Sequence, residues 1–156
     1  MTKPRFCIAY GSNLHTEQMQ IRCPNARIAG VGHLNGWKLL FKGAPGDCYL
    51  TIEPCEAGRV PVAVWEVSPA DEAELDRYEE FPSLYYKKDI PLTIRALRTD
   101  ESKMVTAFAY IMHEEQPAGI PDAAYVQTCL QGYRHFGFDP EPLLAACRSC
   151  RETATQ

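Results

Sequence analysis

The chain has 156 residues, of which 46% are hydrophobic and 23% are charged. This length and composition predict one globular domain over residues 1–156 and exclude an intrinsically disordered chain. The net charge is −4, and no run of basic residues is longer than Lys87-Lys88, so we expect no nucleic-acid partner and no anionic membrane partner.

The N-terminal segment predicts a strand, a turn and a short helix. Residues 1–5 are not followed by the apolar core of a signal peptide. Residues 5–10 form an apolar strand that ends at Gly11. A helix is expected over residues 14–21, with a residue of the Ser12-Asn13 pair as its N-cap.

Four further strands are predicted before the middle of the chain, at 26–34, 37–42, 49–53 and 60–67. The first two flank Asn35-Gly36, which is a strong signal for a two-residue hairpin turn. The last two are separated by a loop that contains Gly58. The strand at 60–67 is apolar on both faces, which predicts a central, buried position in the sheet.

The second half of the chain mixes helices and strands. Ser68-Pro69 predicts the start of a helix that runs to about residue 79, because serine is a good N-cap and proline suits the first helical position. Two strands and two helices are predicted after it, at 85–97, 103–112, 122–136 and 140–150. This order predicts an α+β fold with a mixed or barrel-like sheet.

The cysteines predict reduced thiols. There are seven of them, at positions 7, 23, 48, 55, 129, 147 and 150. Because the number is odd and no secretion signal is recognised, we expect a cytoplasmic protein. Cys147 and Cys150 have the spacing of a C-x-x-C motif but no second ligand pair follows, so we interpret them as neighbours on a helix. Metal or redox use is the alternative.

Residues 10–14, Tyr-Gly-Ser-Asn-Leu, are a candidate binding loop. They lie between a predicted strand and a predicted helix, where free backbone N–H groups can converge on a carboxylate or an oxyanion. Gly11 would allow a ligand to approach the backbone closely. The alternative is an ordinary strand-to-helix turn. No phosphate-binding loop, dinucleotide-binding glycine motif or zinc-binding histidine pair competes with this candidate.

An acidic helix end is the second candidate. Helical spacing places three carboxylates on one stripe that we expect to face solvent: Glu72, Asp76 and Glu80. Glu79 stands four residues after Leu75, which places it on the apolar side. An inward carboxylate is either paired structurally or held for proton transfer. We expect the nearby cations to be exposed: Arg77, Lys87 and Lys88.

The two candidates together resemble a known family. Tyr10-Gly-Ser-Asn-Leu14 after the first strand, and Leu75-Asp-Arg-Tyr-Glu79 before a strand led by tyrosine, are similar to motifs of the γ-glutamylcyclotransferase superfamily. That superfamily includes γ-glutamylamine cyclotransferases and plant avirulence-induced proteins. The stretch AAYVQTCLQGYRHFGFDPE is similar to the late helix of its glutathione-pathway members. The resemblance covers nearly the whole chain and implies a small barrel-like mixed sheet flanked by helices.

The resemblance also implies roles for particular residues. Glu79 corresponds to the catalytic general base. Substrate-binding positions are implied at Tyr10, Gly11, Ser12, Asn13, Leu14, Tyr85 and Tyr125. Tyr86 is adjacent to Tyr85, and the resemblance does not separate the two. The family usually has glycine where this chain has Glu80, and glycine would permit a left-handed helix end.

The reaction implied by the resemblance is an intramolecular acyl transfer. The α-amine of a γ-glutamyl group attacks its own γ-carbonyl, which releases 5-oxoproline and an amine or amino acid. The implied partner is a small γ-glutamyl molecule, and no cofactor or metal is implied. A monomer or a homodimer is expected. The leaving amine is left open among an amino acid, a dipeptide, a lysine side chain and an antibiotic amine. The alternative is a non-catalytic protein of the same fold that binds an amino-acid-like ligand.

Overall fold

Five strands form a closed barrel in the computed structural model, which describes residues 4–154. The first three and last two residues of the predicted domain lie outside the described residues. The strands are β1 (Arg5–Ala9), β2 (Arg27–Lys42), β3 (Tyr49–Val67), β4 (Tyr85–Arg95) and β5 (Ser102–Met112). They are arranged in the order β1-β3-β2-β4-β5. Neighbours are antiparallel except β1 and β5, which close the barrel in parallel. The predicted α+β class with a barrel-like mixed sheet is confirmed.

The described part of the chain contains four α-helices, which pack around the barrel: α1 (Thr16–Arg22), α2 (Pro69–Tyr78), α3 (Ala123–Phe136) and α4 (Glu141–Ala154). The last three confirm the predicted helices, although α4 runs beyond its predicted end. Within the described part of the chain, no helix is long and apolar enough to cross a membrane.

The predicted start of the first helix is wrong. Ser12–Leu14 form a short 3₁₀ turn, and α1 begins only at Thr16. Its N-cap is His15, whose Nδ1 accepts a hydrogen bond from the N–H of Gln18 at 3.2 Å. Asn13 does not cap the helix because its side chain is bonded elsewhere, as described below.

The predicted hairpin at Asn35-Gly36 is also wrong. β2 continues through this dipeptide, and the positive φ of Gly36, 86°, produces a bulge in the strand. Asn35 lies opposite Arg59 while Trp37 lies opposite Pro54, so residues 55–58 of β3 are left outside the ladder register. Four predicted strands are therefore two long ones, and the chain reverses at 43–48 instead.

Residues 60–67 are the buried centre of the barrel wall, as the sequence predicts. β3 pairs with β1 on one side and with β2 on the other. Val60, Val62 and Val64 are fully buried, and Trp65 is 1% exposed. This strand leads directly into α2 and therefore sets where that helix begins.

A capping box fixes the start of α2. The Oγ of Ser68 accepts a hydrogen bond from the N–H of Asp71 at 3.1 Å, and Oδ2 of Asp71 accepts one from the N–H of Ser68 at 3.4 Å. Leu75 is fully buried against the core. The helix is therefore held at its first turn and along its apolar face.

Two of the three carboxylates of the acidic stripe of α2, Glu72 and Asp76, do not face solvent, which corrects the sequence prediction, whereas Glu80 is exposed as predicted. Lys87 of β4 lies between the first two carboxylates, with Nζ 2.6 Å from Oε2 of Glu72 and 2.7 Å from Oδ1 of Asp76. The side chain of Lys87 is only 16% exposed, so the expectation that this lysine is exposed is wrong as well. The positive charge of Lys87 holds these two carboxylates against the barrel, and Tyr110 donates a further hydrogen bond to Asp76.

The end of α2 is a left-handed cap. The N–H of Phe81 donates to the carbonyl of Asp76 at 2.9 Å, and the N–H of Glu80 donates to that of Arg77 at 3.2 Å. This pair of bonds is the Schellman motif, which requires a left-handed residue at position 80. Glu80 adopts that conformation with φ of 52°. The helix end is therefore made with glutamate in a conformation that favours glycine.

We expect Glu80→Gly to stabilise the fold. Relief of the left-handed strain should stabilise the folded state by about 1–2 kcal/mol. The greater conformational freedom of glycine stabilises the unfolded chain and offsets about 0.4–1 kcal/mol of this gain. The free energy of unfolding measured in urea should rise by about 0.5–1 kcal/mol. Glu74→Gly, in the exposed interior of the same helix, is the control and should lower stability by about 1 kcal/mol. A loss of stability in both variants would contradict the strain at residue 80.

Candidate active site

A cavity of about 130 Å³ lies where the end of β1 meets the end of α2. Its wall contains six tyrosines, namely Tyr10, Tyr49, Tyr78, Tyr85, Tyr110 and Tyr125. It also contains Gly11, Ser12, Asn13 and Glu79. Both candidates from the sequence, the loop after β1 and the carboxylate at the end of α2, therefore meet at one cavity.

The structure distinguishes the implied positions that line the cavity from those that do not. Leu14 does not line the cavity, because it is fully buried and packs behind the loop against α3. Tyr85 lines the cavity, whereas Tyr86 points elsewhere and donates a hydrogen bond to Glu114 at 2.5 Å.

The loop is held from two sides. The indole N–H of Trp65 on β3 donates to the backbone carbonyl of Asn13 at 3.1 Å. On the other side, Gly132 of α3 allows a close approach, since a Cβ at this position would lie 2.5 Å from Cβ of Leu14. The loop is thus clamped between the barrel wall and α3.

Only some of the backbone N–H groups of the loop donate hydrogen bonds within it. The N–H of Leu14 donates to the carbonyl of Gly11, and that of His15 donates to the carbonyl of Ser12, both at 3.0 Å. No protein acceptor is found within residues 4–154 for the N–H groups of residues 11–13. These groups can receive an anion at the cavity wall.

Glu79 is connected to the loop through Asn13. The amide nitrogen of Asn13 donates to Oε1 of Glu79 at 3.3 Å, while its Oδ1 accepts a hydrogen bond from Nη1 of Arg22 at 2.6 Å. The guanidinium of Arg22 also stacks on the ring of Tyr78, 3.5 Å from the centroid. The hydroxyl of Tyr78 is 3.1 Å from Oγ of Ser12, which closes a ring of contacts between α1, the loop and α2.

Burial sets the protonation behaviour of Glu79. Loss of hydration raises the pKa of its carboxyl from 4.5 to about 7, while the positive charge of Arg22 and the hydrogen bond from Asn13 act in the opposite direction. The carboxyl group can therefore gain and lose a proton near neutral pH, as general acid–base catalysis requires.

The tyrosine hydroxyls hold the wall in place. Tyr10 donates to the carbonyl of Tyr110 at 2.6 Å, and Tyr85 donates to the carbonyl of Leu50 at 2.7 Å. The hydroxyl of Tyr125 accepts a hydrogen bond from the N–H of Leu50 at 3.1 Å. Burial raises the pKa of Tyr10, Tyr85 and Tyr125 well above 10, so these side chains stay neutral.

Several residues of the site were not predicted from the sequence. Arg22 acts through Asn13 and Tyr78, and nothing in the spacing of α1 distinguishes it from a solvent-facing arginine. Tyr49 and Tyr110 lie on strands, and the side of the sheet on which each side chain lies could not be assigned before the barrel was known. Tyr78 carried a usable signal, because it directly precedes Glu79 on the same helix.

The cysteines do not contribute to this cavity. All seven are free thiols, and the Sγ of Cys150 is directed to the carbonyl of Cys147 at 3.1 Å along α4. Among residues 4–154, no group of three or more His, Cys, Asp or Glu side chains is placed to hold a metal ion.

Comparisons with known proteins relate most of the chain to one family. A family model described as "Gamma-glutamyl cyclotransferase, AIG2-like" matches residues 7–127. The gamma-glutamylcyclotransferases of Bos taurus and Homo sapiens are 29% and 28% identical to the chain, and each match covers 85% of this chain and 72% of the relative.

Solved structures show the same fold. One named "Gamma-glutamyl cyclotransferase" has a TM-score of 0.74 at 24% identity, over 89% of this chain and 83% of its own. An AIG2-like protein from Mus musculus has a TM-score of 0.55 at 17% identity, over 80% and 84% of the two chains. The predicted fold class is confirmed by these superpositions.

Replacing Glu79 by glutamine is expected to stabilise the protein in a pH-dependent way. Because the pKa of the Glu79 carboxyl is higher in the folded protein than in the unfolded chain, ionisation of Glu79 opposes folding. The penalty is absent below about pH 4.5, grows as the pH rises to about 7 and is complete above it. Urea unfolding should show no gain for Glu79→Gln at about pH 4 and a gain on the order of 3 kcal/mol at about pH 9. An equal gain at both pH values would exclude a buried, titrating carboxyl.

Arg22 is expected to lower the pKa of Glu79. We expect Arg22→Gln to move the titration of the Glu79 carboxyl, followed by carbon-13 NMR, to higher pH than in the wild type. Arg77→Gln removes the same charge from an exposed position on α2 and should leave the titration nearly unchanged, because solvent screens it. A downward shift in Arg22→Gln, or equal shifts in both variants, would show that Arg22 does not act on this carboxyl.

Proposed function

This chain belongs to the gamma-glutamyl cyclotransferase, AIG2-like family, and we propose that it is an enzyme that converts γ-glutamyl compounds into 5-oxoproline and a free amine or amino acid. The observation that carries the proposal is the placement of Glu79. This carboxyl lines the same small cavity as residues 11–13 of the loop, and burial raises its pKa to about 7.

The proposed reaction is an intramolecular ring closure. The α-amino nitrogen of the γ-glutamyl group attacks the γ-carbonyl carbon, and a new C–N bond closes a five-membered lactam. The C–N bond to the leaving amine then breaks. Since both reacting groups belong to one molecule, the protein mainly has to hold the folded conformer and move protons.

Glu79 is proposed to carry both proton transfers. As the carboxylate, it removes a proton from the α-ammonium group and so frees the attacking lone pair. As the acid, it returns that proton to the nitrogen of the leaving amine when the amide bond breaks. The ring nitrogen loses its second proton as the neutral lactam forms, and this proton leaves with the released amine, which departs as an ammonium ion. The donor Asn13 holds Oε1 of Glu79 in position throughout these steps.

The loop is proposed to bind the charged end of the substrate. The N–H groups of residues 11–13 can donate hydrogen bonds to the α-carboxylate or to the oxyanion that develops on the γ-carbonyl. The cavity is comparable with the cavities of about 150 Å³ that hold a benzene-sized ring, so a five-membered lactam fits it. A side chain at Gly11 would enter this space, because its Cβ would lie 3.2 Å from Leu50 and 3.4 Å from the hydroxyl of Tyr125.

We also propose the setting in which the reaction takes place. The partner is a small γ-glutamyl molecule, as in glutathione metabolism, and not a nucleic acid or a membrane. The enzyme is proposed to be cytoplasmic and to act as a monomer or homodimer. The ring closure needs only proton transfer and oxyanion stabilisation, both of which this chain's own groups can supply.

We expect two adjacent carboxylates to behave differently in a 5-oxoproline release assay. Glu79→Gln should lower kcat by about 100-fold or more, since it removes the proton carrier, and should leave binding of 5-oxoproline intact. Glu80→Gln should change kcat on a neutral γ-glutamyl amide only a few-fold, because this side chain is exposed at the cavity mouth. A panel of γ-glutamyl amides and dipeptides serves as substrate.

Other outcomes would contradict this assignment. Equal losses in the two variants would mean that the acidic stretch acts only as a diffuse negative patch. Binding of 5-oxoproline with no release from any compound of the panel would favour the alternative function, a non-catalytic protein that binds amino-acid-like ligands.

A further inference from the structure

The cavity wall has an unbalanced set of charges. Of the fifteen described residues that line it, two are glutamates, six are tyrosines and none is lysine, arginine or histidine. The two glutamates are Glu79, partly buried at the inner end, and Glu80, exposed at the mouth. The wall therefore presents negative charge and aromatic surface to whatever enters.

Three basic side chains next to cavity-lining residues are already engaged in other contacts: Arg22, Lys87 and Lys42. Arg22 donates to Asn13 and stacks on Tyr78 outside the lining. Lys87 lies between two carboxylates of α2, and Lys42 is 2.7 Å from Oε2 of Glu53. None of the three is placed on the cavity wall to receive a negatively charged group of a substrate.

The mouth of the cavity is the most negative part. No ion pair to Glu80 is found within residues 4–154. Tyr49 faces the same opening, and its hydroxyl donates to Oδ1 of Asp47 at 3.3 Å. Burial, Asp47 and, more weakly, Glu80 raise the pKa of Tyr49, consistent with its position beside Asp47 and on the same cavity wall as Glu80.

The proposed reaction gives the substrate a direction in this cavity. In that reaction, its α-carboxylate binds at the N–H groups of residues 11–13, and its scissile amide lies at Glu79. The leaving group must then extend beyond Glu79, toward Glu80 and Tyr49. Carboxylates and aromatic rings attract cations and disfavour anions.

We propose that this enzyme selects γ-glutamyl compounds with a cationic leaving amine over those whose leaving group bears a carboxylate, and that Glu80 is a specificity-determining residue. This inference rests on the proposed function, because it takes the direction of the substrate from it. It names the class of substrate: a γ-glutamyl amide of a diamine or of another amine that keeps a positive charge near the amide.

Three nearly isosteric substrates test the proposal: γ-glutamyl-ethylenediamine, γ-glutamyl-glycinamide and γ-glutamyl-glycine, whose leaving groups are cationic, neutral and anionic. We expect kcat/KM for 5-oxoproline release to fall in that order. In Glu80→Gln, the ratio of kcat/KM between the cationic and anionic compounds should fall about ten-fold, because one carboxylate no longer attracts one compound and repels the other. About 0.5 M NaCl should reduce the wild-type ratio in the same direction.

Glu56→Gln is the matched control, because Glu56 is an exposed carboxylate in the unpaired segment of β3 and does not line the cavity. It should keep the wild-type ratio. A wild-type preference for γ-glutamyl-glycine, or equal ratios in the wild type and Glu80→Gln, would overturn the proposal.

A binding measurement separates this proposal from the proposed reaction. Calorimetry with Glu79→Gln should give dissociation constants for the three compounds in the same order of charge. If that order is found but the wild type releases no 5-oxoproline, the reaction is wrong and the charge selection stands. If binding shows no dependence on the charge of the leaving group, or no compound binds, the charge selection is wrong whether or not the reaction occurs.

Discussion

Keeping one carboxyl group largely out of water, next to free backbone donors, is the constraint on which the rest of the site depends. An ionised Glu79 is costly to bury, and the protein offsets only part of that cost through Asn13 and Arg22. The position of the carboxyl must therefore be enforced by the fold. Both ends of α2 are tied down, by the capping box at Ser68 and by the left-handed cap at Glu80.

The sides of α2 are tied down as well. Leu75 anchors its apolar face in the core, while Lys87 of β4 joins its acidic face to the barrel through Glu72 and Asp76. Such partly buried pairs fix geometry more reliably than they add stability. The position and orientation of the Glu79 side chain thus depend on the barrel and on both faces of α2, and not on the loop alone.

Local signals in the sequence predicted what local interactions determine. The start and length of α2 follow from Ser68-Pro69, and the pair of strands β4 and β5 follows from residue pattern and turn chemistry. Non-local interactions decided the failures. Asn35-Gly36 has the residues of a turn, yet the ladder with β3 carries β2 through it. The sequence of the acidic stripe of α2 predicts a solvated face, and only the fold shows that Lys87 pairs with two of its carboxylates.

The candidate site shows the same division. Family motifs placed the loop and Glu79 together, but the contacts that join them pass through Arg22, whose role appears only when α1 is folded against α2. Leu50 is a related case, since no pattern distinguishes it, yet its backbone N–H and carbonyl bond the hydroxyls of Tyr125 and Tyr85. Its amide proton is thus protected by a side chain from a helix and not by a neighbouring strand. Hydrogen–deuterium exchange at the backbone amide of Leu50 would report how often α3 detaches from the barrel and opens the cavity wall.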